Sequence, residues 1–352
     1  MESENRDAFQ QDQESKKRKS LKIPLIIFIV LFGMSAFLNI MFLITIGAMA
    51  IGAADTGMME TLIDGDEMEY EKILLLRVNG VIVREGGFSG GTDSRLYVKK
   101  RLERVQKDLS MYKGILLVVN SPGGGVTESD EILTMIREFK KATGKPVVAY
   151  FQNVAASGGY YISAACDEII AHPTTITGSI GVIMTFFQAE ALMNKIGVTS
   201  NVIVSEKTPF KDIGSPFRQM KETERAMLQK MVEEIYSRFV DVVAEGRKNL
   251  SREEVVGLAT GMIYSGTEAF NRKLVDRVGS FEDAAGAVRR LAKSPNAKIV
   301  ELCSRPGLIR SFLSSKSREV SFDPFSFSSF REQYNGLPLY LWLPGKGETA
   351  SE

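Results

Sequence analysis

A chain of 352 residues, 44% hydrophobic and 25% charged, has the balance of a globular protein that can bury a core. Its net charge of +1 supplies no global field to draw nucleic acid, and its two cysteines, Cys166 and Cys303, are too few for a disulfide framework. The single histidine, His172, excludes a metal site with two histidine ligands and leaves any histidine-based triad only one residue to build on.

Residues 1–22 are polar and basic, with Lys16, Lys17, Arg18, Lys19 and Lys22 ahead of an uncharged apolar run that begins at Ile23 and lasts to Ala54. A helix of roughly 20 apolar residues crosses a bilayer core, so residues 23–51 are expected to form one transmembrane helix. The run is too long for the apolar region of a cleaved signal peptide, which takes about 7–15 residues. Acidic residues follow (Asp55, Glu60, Asp64, Asp66, Glu67, Glu69, Glu71), with no Lys or Arg before Lys72. This asymmetry predicts an N-terminus on the cytoplasmic side and everything after the span outside it. Residues 52–71 read as an acidic linker.

From residue 72 the pattern changes to strands alternating with helices. Residues 73–83 (ILLLRVNGVIV) predict a buried strand with a kink at Gly80. Val98, Leu102, Val105 and Leu109 recur at helical spacing. Residues 115–119 predict another strand, and Thr127-Glu128-Ser129-Asp130 has the pattern of a capping box opening a helix that buries Ile132, Leu133, Ile136 and Phe139. Residues 146–151 predict a third strand. Residues 223–248 predict a long helix whose stripe of Leu228, Met231, Ile235, Phe239 and Val242 reads as core. Continuous apolar strands separated by helices predict an α/β fold with a mostly parallel sheet covered on both faces. Residues 72–300 form this domain, and residues 301–352 read as a tail without its own core. The tail's apolar segment 337–344 (LPLYLWLP) is expected to dock on something.

Two glycine-rich segments stand out. Asn120-Ser121-Pro122-Gly123-Gly124-Gly125 follows a strand and precedes a helix, where free backbone N–H groups can hold an anion or an oxyanion. A phosphate loop or a plain tight turn has a similar appearance, although the Lys-Ser/Thr of a P-loop is absent. Ala155-Ala156-Ser157-Gly158-Gly159-Tyr160-Tyr161 places a serine among small residues, which suits a nucleophile and equally suits a glycine-rich helix start packed on a sheet. A serine needs a base, and His172, in Ile170-Ala171-His172-Pro173, reads as a loop residue. A lysine serves if its surroundings favour its neutral form. Lys211, in Pro209-Phe210-Lys211-Asp212-Ile213-Gly214-Ser215-Pro216, is a candidate, but composition does not single it out from 44 cationic residues.

Taken together these motifs resemble the signal peptide peptidase A family of bacterial membrane serine proteases, whose fold is that of the Clp protease and crotonase superfamily. The resemblance spans residues 73–285. It is carried by Val78-Asn79-Gly80-Val81-Ile82, the Asn120 and Ser157 glycine segments, Thr177-Gly178-Ser179-Ile180-Gly181-Val182, the Lys211 segment, Tyr264-Ser265-Gly266 and Leu274-Val275-Asp276. It implies Ser157 as nucleophile, Lys211 as general base, Ser179 as the residue orienting the lysine, and Gly123, Gly124 and Gly158 as the oxyanion hole. At the position of His172 family members often carry Asn. The resemblance further implies cleavage of remnant signal peptides and of misfolded or membrane-proximal polypeptides, without cofactor, metal or nucleic acid. It places the protein in the bacterial cytoplasmic membrane with an extracytoplasmic catalytic domain. It implies a homo-oligomeric ring, octameric in the known type, in which adjacent chains supply Ser and Lys, and a short form able to bind its own C-terminus in the active site. Rival readings are a protease of the same dyad paired with stomatin-like partners, a crotonase-like CoA-ester enzyme, and a non-enzymatic scaffold.

Overall fold

The computed structural model describes residues 28–45, 58–84, 93–304 and 339–341. The basic cluster before the span, the ends of the expected span and most of the apolar 337–344 segment lie outside these residues. The N-terminal helix α1 (Phe28–Thr45) and the body that begins at Glu60 are separate compact units. The described part of α1 is 18 residues with a mean hydropathy of 2.2, long and apolar enough to cross a membrane by length and composition. Its side chains are exposed throughout.

The body runs through β1 (Met58–Asp64), β2 (Lys72–Asn79), α2 (Ser94–Lys107), β3 (Tyr112–Ser121), β4 (Gly123–Gly125), α3 (Val126–Thr143), β5 (Val147–Ala156), α4 (Gly158–Ser163), β6 (Glu168–Ala171) and β7 (Ile176–Gly178). It continues through α5 (Glu190–Lys195), α6 (Glu222–Gly246), α7 (Arg252–Leu258), β8 (Ile263–Ser265), α8 (Gly266–Asn271), β9 (Arg277–Val278), α9 (Phe281–Leu291) and β10 (Lys298–Ser304), with β11 (Leu339–Leu341) near the C-terminus. The main sheet has the order β1-β10-β2-β3-β5-β6-β9, and β7 branches from the end of β5. The pairings of β10 with β2, β2 with β3, β3 with β5, β5 with β6 and β7, and β6 with β9 are parallel, whereas β8 is antiparallel to β7.

Period-2 alternation fixes the layers. Ile73 and Leu75 of β2, with Leu116 and Val118 of β3 and Val148 and Tyr150 of β5, pack against Ala284, Ala287 and Val288 of α9. Leu74, Leu76, Leu117 and Val119 are equally buried on the opposite face, where α2 and α4 lie. A sheet covered on both faces explains why its strands are apolar without interruption.

Several expectations need correction. The supposed linker contains β1: Glu60 accepts from Lys72 Nζ at 2.6 Å and Tyr112 Oη at 2.7 Å, and Ile63 packs on the core. Its acidity belongs to an edge strand with partners. At the other end, β10 extends to Ser304 and Glu301 pairs with Leu75, so residues 301–304 belong to the sheet. The capping box at Thr127 does not form. β4 runs directly into α3 through extended Gly125, Ser129 Oγ donates to Gly125 O at 2.8 Å, and Asp130 accepts from Tyr161 Oη at 2.6 Å. Leu109 lies beyond α2, and Arg101 occupies its buried face instead. In α6, Phe239 and Val242 are buried as expected, Phe239 against Tyr161 of α4, but Met231 is exposed.

Candidate active site

Ser157 sits where β5 turns into α4, with φ 55° and ψ −115°. A side chain rarely adopts this backbone, and the sharp strand-to-helix turn it makes is the one on which nucleophiles are held. The turn is braced on every side. Ser157 N–H donates to Gly178 O at 2.8 Å, and Ser157 O accepts from Tyr161 N–H at 2.8 Å. A Cβ at Gly159 would come within 2.8 Å of Ser121 O, so only glycine lets α4 lie this close to β3. Tyr160 Oη donates to Leu274 O at 2.7 Å and Tyr161 Oη to Asp130, which anchor the helix on both flanks. Burial pushes the Tyr160 hydroxyl above the ordinary tyrosine range, so it stays a donor. Ser157 itself is 1% exposed.

Ser179 stands beside it by register. Parallel β5 and β7 pair Ala156 with Gly178, so the next residues, Ser157 and Ser179, leave adjacent strand ends together. Ser179 also has positive φ, 48°, and its N–H donates to Met262 O at 2.7 Å.

The glycine strand β4 lies alongside α4. Ile82 N–H donates to Gly123 O at 2.8 Å, and Gly125 N–H donates to Ile82 O at 2.9 Å. Those groups face Ile82, so alternation turns Gly124 N–H and C=O to the other edge. On that edge lies β11, antiparallel, with Leu339, Tyr340 and Leu341 opposite Gly125, Gly124 and Gly123. Gly123 N–H is taken by Ser121 Oγ at 3.1 Å. Of the two glycines, Gly124 therefore has its donor on the edge where an extended peptide lies. Gly158, first residue of α4, carries an N–H with no acceptor inside the helix.

Within the chain no hydrogen bond joins Lys211 to Ser157 or Ser179. Lys211 is exposed, as are all residues from 201 to 210, and among the described residues its ammonium makes no hydrogen bond or ion pair. Its loop is nonetheless fixed: Lys211 N–H donates to Thr208 O at 3.1 Å, and Ala189 N–H donates to Pro216 O at 2.6 Å. Gly214, with φ 75°, leaves room for the Phe186 ring that a Cβ would strike. Asp212, next to Lys211, is gripped by Arg218, which holds its carboxyl below the usual carboxylate range. Arg218 was not marked out by the sequence; its only signal is the spacing of Asp212, Arg218 and Glu224 at six-residue steps. His172 lies in the exposed loop between β6 and β7, its Nδ1 2.8 Å from Thr174 Oγ1, as the sequence predicts.

Comparison with known proteins adds a second line. Residues 139–294 match Peptidase family S49. An Enterococcus faecium protein named as a signal peptide peptidase SppA is 40% identical over 264 residues, covering 74% of this chain and 75% of that one. A protein of Methanocaldococcus jannaschii named as a protease is 45% identical over 209 residues, 59% of this chain and 65% of its own length. Among solved structures, a membrane-bound stomatin-specific protease superposes with a TM-score of 0.42 at 12% identity, over 67% of this chain and 99% of that one. With this degree of likeness to the Enterococcus protein, the chain belongs to peptidase family S49 and is a serine protease.

Proposed function

We propose that this protein is a membrane-anchored endopeptidase working through a Ser/Lys dyad, with remnant signal peptides as its principal substrates. The observation that carries the reading is the strained, buried Ser157 with Ser179 at its side and a glycine strand whose open edge accepts an extended peptide. Ser157 Oγ attacks the scissile carbonyl while neutral Lys211 takes its proton, and Ser179 orients the lysine. Gly124 and Gly158 N–H groups hold the oxyanion; Gly123 supports the strand through Ser121. The lysine then protonates the leaving amine and activates the water that hydrolyses the acyl-enzyme. Lys211 is exposed and makes no hydrogen bond to Ser157 or Ser179 in one chain, which supports a base supplied by a neighbouring copy of a homo-oligomer. Exposed apolar Leu192, Ile196, Phe210 and Met231 on the Lys211 side of the body support such packing. Helix α1 anchors the assembly, with the N-terminus inside the cell and the protease body on the extracytoplasmic face.

The test is cleavage of casein and of a signal peptide by the full-length chain in detergent, across pH, for wild type, Ser157→Ala and Lys211→Ala. A lysine base acts only when neutral, so the wild-type rate rises with pH. Each variant loses activity by on the order of a thousandfold or more. Persistent cleavage by both variants sinks the dyad.

A further inference from the structure

One side chain ties the loop that carries Lys211 to the start of the long helix α6. Arg218 Nε lies 2.8 Å from Asp212 Oδ2 and its Nη2 2.9 Å from Asp212 Oδ1, a two-pronged pair. The same guanidinium reaches Glu224, with Nη1 2.9 Å from Oε2 and Nη2 2.5 Å from Oε1. Its remaining bonds go to the backbone, Nη1 to Gln219 O at 3.0 Å and Nη2 to Asp212 O at 3.3 Å. Glu224 is 0% exposed and is the third residue of α6, where its Oε2 also caps Lys221 N–H at 3.0 Å. Arg218 is thus a rivet between the turn bearing Lys211 and the first turn of the long helix. Lysine cannot replace it, since a single ammonium lacks the planar fork that engages two carboxylates at once.

The same contacts settle the charge beside Lys211. Asp212 is its chain neighbour, and an unengaged carboxylate there would favour the protonated lysine, which is not a base. The charged groups around the rivet are Asp212 and Lys211 on the loop, Lys221 before the helix, and Glu222, Glu224 and Arg225 in its first turn. The segment packed against the loop, residues 182–189, carries no charge and contributes Phe186, Ala189 and Gln188, whose Nε2 donates to Arg218 O at 3.3 Å. Arg218 is therefore the group that occupies Asp212.

We propose that Arg218 is a positioning residue of this protease: by binding Asp212 and Glu224 together it sets the direction in which Lys211 leaves its loop and keeps the adjacent carboxylate away from the lysine. This rests on the reading of Lys211 as the base.

The experiment measures kcat, KM and pH–rate profiles of the full-length protein in detergent micelles. It compares wild type with Arg218→Lys, Arg218→Gln, Asp212→Asn and the double variant Asp212→Asn/Arg218→Gln, and includes Lys211→Ala. Arg218→Gln is expected to lower kcat on the order of 10–100-fold with little change in KM, as misplacement of a catalytic group does. Its rising pH limb moves to higher pH. The double variant keeps the low kcat but returns the limb toward the wild-type position, because the freed carboxylate is gone. A purely structural role for Arg218 predicts no shift of the limb. Arg218→Lys and Asp212→Asn keep a charge or a side chain of similar size and serve where Arg218→Gln does not fold. Wild-type kcat in both of them, or an unmoved limb in Arg218→Gln, overturns the proposal while inactive Lys211→Ala leaves the base assignment standing. Full activity in Lys211→Ala overturns the base assignment and the proposal with it.

Discussion

At Ser157 the chain holds φ at 55° and ψ at −115°, a backbone that costs a side chain about 1–3 kcal/mol. Glycine adopts it without that cost. Ser157→Gly is therefore expected to unfold at a higher temperature than Ser157→Ala, by the equivalent of roughly 1 kcal/mol, although neither cleaves peptide. Thermal denaturation of the two full-length variants checks this, and equal midpoints would show that the turn is unstrained. The serine was legible because its signature is local: a nucleophile needs small neighbours, and Ala155, Ala156, Gly158 and Gly159 surround it in sequence. Its companion Ser179 was reached only through family likeness. What joins the two is the pairing of Ala156 with Gly178, a contact between strands that no local pattern reveals.

Among the elements, the Lys211 loop and α6 depend on one another through charge. Arg218 holds both Asp212 and Glu224 below their ordinary values of 3.8 and 4.5. A carboxylate depressed on folding contributes stability above its unfolded value and loses it as pH falls through the folded one. Helices α2, α3 and α6 were readable from their period and strands β2, β3 and β5 from their apolar runs, whereas the short elements and α9 carried too little pattern to be read. β1 was not readable, because an edge strand tolerates polar residues and thus resembles a linker, and neither was the end of β10, whose Glu301 and Ser304 read as the start of a polar tail. The rivet had no helical or strand period: its three residues meet across a loop, and the stripe on α6 looked continuous although its buried apolar residues all lie in the C-terminal half.

For the molecule as a whole, the proposal that Ser157 and Lys211 come from different chains has a direct genetic-style test. If each site takes its serine from one chain and its lysine from the next, Ser157→Ala and Lys211→Ala chains assembled together regain activity that neither has alone. Random mixing in a head-to-tail ring restores about one site in four. Chains that form complete sites by themselves give no recovery, and co-expression followed by a peptide cleavage assay separates the two. Met231→Asp and Leu192→Asp, on the exposed apolar surface, are expected to shift the assembly toward monomers by light scattering and lower activity in proportion.

The placement of β11 bears on how rates should be interpreted. Its three residues pair with Gly123–Gly125 on the edge that Ile82 leaves open, and they are joined to that edge by the same polypeptide. A tethered strand competes at an effective concentration set by the length of chain that joins it to the edge. If an extended substrate binds this same edge it has to displace β11, and the apparent KM of the intact chain then combines substrate affinity with the tail's occupancy. On that reading, substrates with many backbone contacts are favoured over short peptides, and selectivity is partly a matter of how well a ligand outcompetes the protein's own end.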